Sequence, residues 1–229
     1  MSTNSTAITD LYDRFRPDTE TLLWGAIVCN LELLLLAAYA LQSGGRLTSL
    51  GGVRYWLYPL VWINVGLWAV LKTRPVASNT RNRVLAIGLG VGYFLVLAFV
   101  GGLFKGPIPG VQPGLSVRFG LPPGWGPVLV YGSSLFTATL LPYKVIGYAS
   151  LAYLIYATVL DTAGSAVSGV LGLLSCVSCT WPVFATIITA IFGSGTAIAG
   201  AVYTQSYGIG TAIFVVTVGL LYWRPVFGR

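Results

Sequence analysis

The stretch TLLWGAIVCNLELLLLAAYALQ, residues 21–42, decides the fold class, because its only charged residue is Glu32. A helix of about 20 apolar residues is long enough to cross the ~30 Å hydrocarbon core of a bilayer. Comparable apolar stretches cover residues 55–71, 84–104 and 207–223. The sequence therefore predicts an all-α, multispanning membrane protein.

The composition of the whole chain favours the same class. Hydrophobic residues make up 55% of the 229 residues and charged residues 8%, which is about a third of the charged share in soluble domains. The chain has no histidine, which excludes histidine-based triads, histidine-ligated haem and most zinc and copper sites. Six acidic residues leave little scope for a carboxylate-bound metal, so we expect no cofactor and no metal.

Two further apolar regions are too long or too interrupted for single spans. The run 128–160 is interrupted by a proline and a lysine within residues 141–144, which indicates two short spans that meet there or one helix kinked at Pro142. The segment 163–203 is broken at residues 179–182, and we expect it to cross twice or to re-enter as a hairpin. The prediction is therefore six full spans plus this broken segment.

Two non-membrane segments accompany the predicted transmembrane domain, residues 21–229. Residues 1–20 are polar, and the helical spacing of their apolar residues from Ile8 to Phe15 predicts a short helix in the membrane interface. Residues 105–127 are rich in proline and glycine, which predicts an external loop without a helix or a central strand.

Basic residues predict the orientation in the cell membrane. The block Lys72–Arg83 lies between the second and third spans, and the positive-inside rule places such a block in the cytoplasm. Both termini are then expected in the cytoplasm as well. Because the basic residues flank apolar spans, the net charge of +7 indicates contact with lipid headgroups of the bilayer and no nucleic-acid partner.

The strongest candidate for chemistry is the stretch GLLSCVSCTWP, residues 172–182. Cys176 and Cys179 are three residues apart on one face of a helical turn, and Pro182 interrupts the helix beyond them. Accessible thiols of this kind suit thiol–disulfide exchange, with Cys179 as the nucleophile and Cys176 as the resolving thiol. Two alternatives stay open: a close-packed face of small residues and a metal site with soft ligands.

This stretch resembles the broken first helix of the CcdA/DsbD-type transmembrane thiol–disulfide carriers, whose pattern is G-L-L-S-x-x-S-P-C-x-x-P. The matching residues, once the proline before the cysteine is deleted, are Gly172, Leu173, Leu174, Ser175, Ser178, Cys179 and Pro182. Residues 208–214 are similar to a later glycine-rich helix of that family. The resemblance implies transfer of reducing equivalents across the membrane, as in cytochrome c biogenesis, with a thioredoxin-like redox partner. The family pairs one cysteine from each of two inverted halves, so the partner of Cys179 would be Cys176 or Cys29.

Glu32, near the middle of the first span, is the second candidate. Asn30 lies beside it, and Cys29 lies one turn earlier on the same face. A carboxyl group inside a membrane is costly and points to function by default: a proton carrier, a cation ligand or a modulator of Cys29. The structural alternative is a protonated Glu32 that hydrogen-bonds a neighbouring helix, for example at Asn64.

Three functions are therefore predicted as alternatives. The first is a membrane thiol–disulfide relay. The second is a small transporter or permease, in which the substrate passes the broken segment and Glu32 binds a proton or cation. The third is a non-catalytic subunit that associates with other membrane subunits through small-residue faces such as Gly88, Gly90 and Gly92.

Overall fold

The computed structural model describes residues 19–43, 50–75, 79–108, 110, 112–162 and 197–223. The chain divides into two compact units, Met1–Arg46 and Leu47–Arg229. The first unit contains helix α1, Thr19–Ser43. The described part of the second unit contains, in chain order, α2 (Leu50–Lys72), α3 (Thr80–Val100), β1 (Phe104–Lys105), β2 (Gly114–Arg118), β3 (Val128–Gly132), β4 (Thr137–Leu140), α4 (Pro142–Thr162) and α5 (Ala197–Trp223).

The strands show that the predicted all-α fold with six full spans is wrong. They form one four-stranded antiparallel sheet in the order β1-β4-β3-β2, inserted between α3 and α4. Among the described residues, three helices are long and apolar enough to cross a membrane: Thr19–Gln42, Thr80–Val100 and Pro142–Asp161. A shorter apolar helix covers Gly210–Tyr222. These helices are compatible with membrane association.

The first part of the apolar run 128–160 is a hairpin and not a span. In β3, Val128 and Val130 are buried whereas Leu129 and Tyr131 are exposed, which is the two-residue period of a strand with one covered face. Gly132 ends β3, and the following turn closes with a hydrogen bond from the Ser133 N–H to the Phe136 carbonyl oxygen (2.9 Å). The chain thus reverses direction at residues 133–136 and returns as β4.

The predicted external loop 105–127 contains a further strand, β2. This strand pairs with β3 from Gly114 opposite Gly132 to Arg118 opposite Val128, and it lies at one edge of the sheet. Prolines and glycines next to a strand are tolerated at a sheet edge, because one row of backbone groups there needs no neighbouring strand. The breakers therefore exclude a central strand, as predicted, but not an edge strand.

Pro142 begins α4, so both predictions for it, a junction between two spans and a kink, are wrong. Proline suits the first position of a helix because its N–H would have no intrahelical partner and its φ is already helical. The Leu141 carbonyl oxygen accepts the N–H of Val145 at 3.0 Å and closes the first turn. Pro142 thus separates a strand from a helix.

Helix α4 packs against α2, α3 and α5. The buried contacts are made by Leu97, Ala98, Tyr148, Leu151, Leu154, Phe214 and Val218, among others. Gly90 allows α3 to approach α4, since a Cβ there would lie 3.2 Å from the Ala152 carbonyl oxygen. At Gly88 and Gly92, no described atom lies within 4 Å of such a Cβ. Of the three glycines predicted for helix contact, Gly90 alone has a described helix against it.

Candidate functional site

The predicted thiol site lies outside the described residues. Cys176, Cys179 and Pro182 all fall between residues 163 and 196. The redox pair therefore stays a prediction from the sequence.

Helix α1 carries the other two predicted site residues, Cys29 and Glu32. Cys29 is an exposed free cysteine, and Glu32 is half-buried and takes part in an interaction. Asn30 donates its side-chain N–H to the Ala26 carbonyl oxygen one turn earlier (2.8 Å). In the part of the chain that the structure describes, no three His, Cys, Asp or Glu side chains form a group that could bind a metal.

The densest arrangement of polar and aromatic contacts lies where the sheet joins the helices. Gly101 caps α3, and Gly102 has a φ of 75°, which suits glycine. The N–H groups of Gly102 and Leu103 donate to carbonyl oxygens in the last turn of α3 at 3.1 and 2.8 Å, the two bonds of a Schellman cap. The Leu103 carbonyl oxygen then accepts the N–H of Thr139 in β4 at 2.8 Å. The end of α3 and the sheet thus share one hydrogen-bond network.

Trp125 makes a second connection, between the loop before β3 and the helices. The buried indole stacks on Tyr55 with ring centroids 4.3 Å apart, and its N–H donates to the Tyr55 carbonyl oxygen at 2.8 Å. The neighbouring Gly124 lies so close to α2 that a Cβ would be 2.7 Å from the Pro59 Cβ. The Gly124 carbonyl oxygen accepts the N–H of Tyr143 in the first turn of α4 (3.1 Å). One loop therefore binds both α2 and α4.

An aromatic cluster continues from this loop into the helices. The Tyr143 ring contacts Trp125 and Trp62 at centroid distances of 4.8 and 5.7 Å. Trp62 in turn stacks on Phe214 of α5 at 4.1 Å and donates its indole N–H to the Thr211 hydroxyl at 3.0 Å. Aromatic pairs of this kind add about 0.5–1.5 kcal/mol each beyond their burial. The cluster holds the helices and the loop together and contains no carboxylate, histidine or thiol.

Two lysines meet at the turn after α3. Lys144, in the first turn of α4, donates from Nζ to the Gly101 carbonyl oxygen at 2.8 Å. The Lys105 side chain folds back over Gly102, where a Cβ would lie 3.0 Å from Cε and 3.7 Å from Nζ. The Tyr148 hydroxyl also contacts Gly101. Because the C-terminal end of a helix is negatively polarised, it favours nearby cations.

The two faces of the sheet differ in exposure. On the inner face, Val128, Val130 and Thr137 are buried, whereas Lys105, Ser116 and Arg118 are exposed. The opposite face is called the outer face here, and the strand register places on it Phe104, Leu115, Val117, Leu129, Tyr131, Ala138 and Leu140. The exposed fractions of the first five run from 36% to 70%, whereas Ala138 is buried and Leu140 is half-buried. All seven side chains are uncharged, so the part of the outer face on β1, β2 and β3 is an apolar surface open to contact.

The surroundings of the outer face enlarge this apolar surface. Ser116 and Arg118, the alternate residues of β2, belong to the other face because successive side chains of a strand point in opposite directions. Phe119 directly follows β2 and Leu135 lies in the turn between β3 and β4, at the other end of the sheet; they are 76% and 80% exposed. Exposed apolar surface of this kind is typical of sites that contact another protein or a membrane.

The outer face is not evident from the sequence, because the apolar residues 128–140 resemble part of a membrane span. The signal that could have found the hairpin is the alternation of β-branched residues at Val128, Val130, Thr137 and Thr139, with Gly132 between the two pairs. β-branched residues favour strands.

One protein-family model, described as a family of unknown function (DUF7546), matches residues 1–228. The chain therefore belongs to this family. Neither the search of curated proteins nor that of solved structures gave a match.

Proposed function

We propose that this member of the DUF7546 family is a non-catalytic subunit of a membrane complex, in which its sheet is a docking face for another membrane protein. The observation that carries the proposal is the contrast between a sheet bound firmly to the helices and an outer face that is apolar and exposed. A sheet needed only for stability would be expected to expose polar side chains on its free face.

The attachment of the sheet supports the proposal because it makes the surface preorganised. Backbone bonds join Leu103 to Thr139 and Gly124 to Tyr143, and Trp125 binds α2 through its ring and its N–H. A surface that is already ordered loses little conformational entropy when a partner binds.

The size of the outer face indicates a partner that also lies in the membrane. Four short strands about 4.8 Å apart present roughly 300 Å², whereas each side of a stable interface buries about 800 Å². A membrane partner can add contact with the exposed side chains of α3, which include Leu85, Leu89, Val96 and Phe99. A soluble partner could reach the sheet alone.

The basic residues support an external position for the sheet. The segment from the end of α2 to the first turn of α3 carries four basic residues: Lys72, Arg74, Arg81 and Arg83. The positive-inside rule favours the cytoplasm for this segment. The sheet follows the opposite end of α3. Lys144, at the start of α4, then belongs to the external side. A cytoplasmic C-terminus requires an odd number of crossings between α4 and α5.

The test is the size of the particle extracted from membranes in a mild detergent. We expect the wild type to elute with a partner, at a protein mass above one chain as measured by light scattering. Val117→Lys puts a charge into the outer face, and burying an unpaired charge is costly. This variant should therefore release the partner and elute as a single chain.

Ser116→Lys is the matched control, because it adds the same charge at the neighbouring position of β2, which belongs to the other face. It should elute like the wild type. Two copies with different tags, expressed together, distinguish a second copy of this chain from a different protein. A wild type that elutes as one chain, or two lysine variants that behave alike, would contradict the proposal.

Thiol–disulfide exchange is a second proposal, favoured by the sequence motif at residues 172–182. Cys176→Ser should trap a mixed disulfide between Cys179 and its redox partner, because no resolving thiol remains. Cys179→Ser should trap none. Absence of an adduct in both variants, with Cys29 also replaced, would contradict this proposal.

A further inference from the structure

The turn between α3 and β1 combines two cations, and no carboxylate of the described part of the unit Leu47–Arg229 lies beside them. Lys144 is half-buried and Lys105 is exposed. The Lys144 Nζ donates to the Gly101 carbonyl oxygen, and the Lys105 side chain lies over the adjacent Gly102, so the two ammonium groups lie at the same turn. Asp161 is the only acidic residue in the unit Leu47–Arg229. It lies near the opposite end of α4, about 25 Å from Lys144 along the helix axis.

We propose that this turn binds a phosphate group through the ammonium groups of Lys105 and Lys144. The proposal is independent of the docking function of the outer face.

The charges around the turn favour an anion. The C-terminus of α3 carries roughly half a negative charge and the N-terminus of α4 roughly half a positive charge. These two helix ends nearly cancel, so the two ammonium groups leave a net positive site. Repulsion between Lys105 and Lys144 is relieved when an anion binds between them, because each cation then gains an opposite charge.

The geometry leaves donors available to a ligand. Lys144 uses one N–H on the Gly101 carbonyl oxygen, and an ammonium group has three N–H donors. Lys105 is exposed on the short edge strand β1, so a ligand can reach it from solvent or from the membrane surface. The Tyr148 hydroxyl lies beside Gly101 and the Lys105 side chain lies over Gly102, so a ligand reaches the turn from the side of the exposed Lys105.

A phosphate group fits these donors because its several oxygens can accept from both ammonium groups at once. The phosphate of a lipid headgroup and a free phosphate ion offer the same chemistry. The end of an apolar helix that can span a membrane lies at headgroup level, so both sources can reach the turn.

The experiment uses the full chain purified in a neutral detergent, with two probes. Retention of phosphatidylglycerol is measured against retention of diacylglycerol, which has the same chains but no phosphate, by quantitative lipid mass spectrometry. Binding of inorganic phosphate is measured by equilibrium dialysis. Lys105→Gln should weaken the binding of the preferred probe about tenfold, because one charge-assisted hydrogen bond is lost, and Lys144→Gln should do the same.

Arg118→Gln is the matched control, since it removes one positive charge from β2 of the same sheet and should change binding less than about twofold. Lysine-dependent binding of phosphatidylglycerol alone identifies a lipid headgroup as the source, and lysine-dependent binding of inorganic phosphate identifies the free ion. If the Lys144→Gln variant does not fold, the binding measured for Lys105→Gln tests the proposal, because Lys105 is exposed. The proposal is overturned if neither probe binds, or if Lys105→Gln and Arg118→Gln weaken binding equally.

Discussion

Residues 128–140 and residues 142–162 form one apolar run in the sequence, yet the first part folds as a hairpin and the second as a helix. In the hairpin, burial alternates residue by residue along β3. In α4, the buried residues Tyr148, Leu151 and Ile155 recur at intervals of three and four. Mean hydropathy is therefore a poor guide to which apolar segments cross a membrane, and the period of the pattern is the better one.

The hairpin and α4 also differ in the contacts that stabilise them. Helix α4 packs against three other helices, whereas the sheet region is joined to the helices by the Leu103–Thr139 and Gly124–Tyr143 hydrogen bonds and by the contacts of Trp125. This difference predicts that the sheet region can be loosened by changes that leave the helical packing intact, and that changes in the helices act through close packing.

The largest effect is expected for Trp125→Ala. The substitution removes a buried ring, its stacking on Tyr55 and its hydrogen bond to the Tyr55 carbonyl oxygen. Large-to-small changes of buried aromatic residues cost about 3–5 kcal/mol in the free energy of unfolding. Denaturant titration in mixed micelles measures this loss, and proteolysis within residues 104–140 should become faster.

Phe119→Ala is the control for this prediction, since Phe119 is 76% exposed. Its effect on the free energy of unfolding should stay below about 0.5 kcal/mol. Equal effects of the two substitutions would show that Trp125 does not hold the sheet to the helices.

A smaller effect is expected for Gly147→Ala in α4. A Cβ at this position would lie 2.5 Å from the Trp62 ring and 3.4 Å from Phe214, so α2 and α5 would have to move. Overpacking of this kind costs about 1–3 kcal/mol. The midpoint of thermal unfolding should fall accordingly.

Gly88→Ala in α3 is the matched control for Gly147→Ala. No described atom lies within 4 Å of a Cβ at Gly88, and alanine favours a helix over glycine by up to about 1 kcal/mol. The unfolding midpoint should therefore stay unchanged or rise. A fall as large as that for Gly147→Ala would indicate that Gly88 is in close contact with another element.

The smallest effect is expected for Thr211→Val in α5. The change removes the hydroxyl that accepts the Trp62 N–H and costs about 1 kcal/mol. Thr217→Val is the control, because the Thr217 hydroxyl donates to the Ile213 carbonyl oxygen within its own helix. That bond contributes little to stability, so Thr217→Val should be nearly neutral. If Thr211→Val and Thr217→Val lower the free energy of unfolding equally, the Trp62–Thr211 hydrogen bond does not contribute to stability.

The sequence predicted the helices well where each apolar segment stands alone. The predicted spans 21–42, 55–71, 84–104 and 207–223 correspond to α1, α2, α3 and part of α5. The hairpin was missed because its length matches a short span and its turn, Ser133–Phe136, contains two apolar residues. The pairing of β2 with β3 is a long-range contact, which no local pattern reveals.

The candidate site was even less predictable. Cysteine and glutamate residues were predicted as site residues because a thiol or a carboxyl group within an apolar segment can be recognised from the sequence alone. The outer face consists of ordinary apolar residues such as Leu115 and Tyr131, whose exposure depends on the register of three strands. Trp125 stands within the predicted external loop 105–127, and its bond to the Tyr55 backbone depends on the folded loop.

The most direct test is cysteine scanning of residues 128–131 in intact cells, in a chain whose native cysteines are replaced by serine and which carries Val117→Lys, so that no partner covers the outer face. Each single cysteine is treated with a membrane-impermeant maleimide from outside. An external β3 strand predicts an alternating result: Leu129→Cys and Tyr131→Cys react, whereas Val128→Cys and Val130→Cys are protected by burial. A membrane span at these residues, which would contradict the external sheet, predicts that all four variants stay unlabelled.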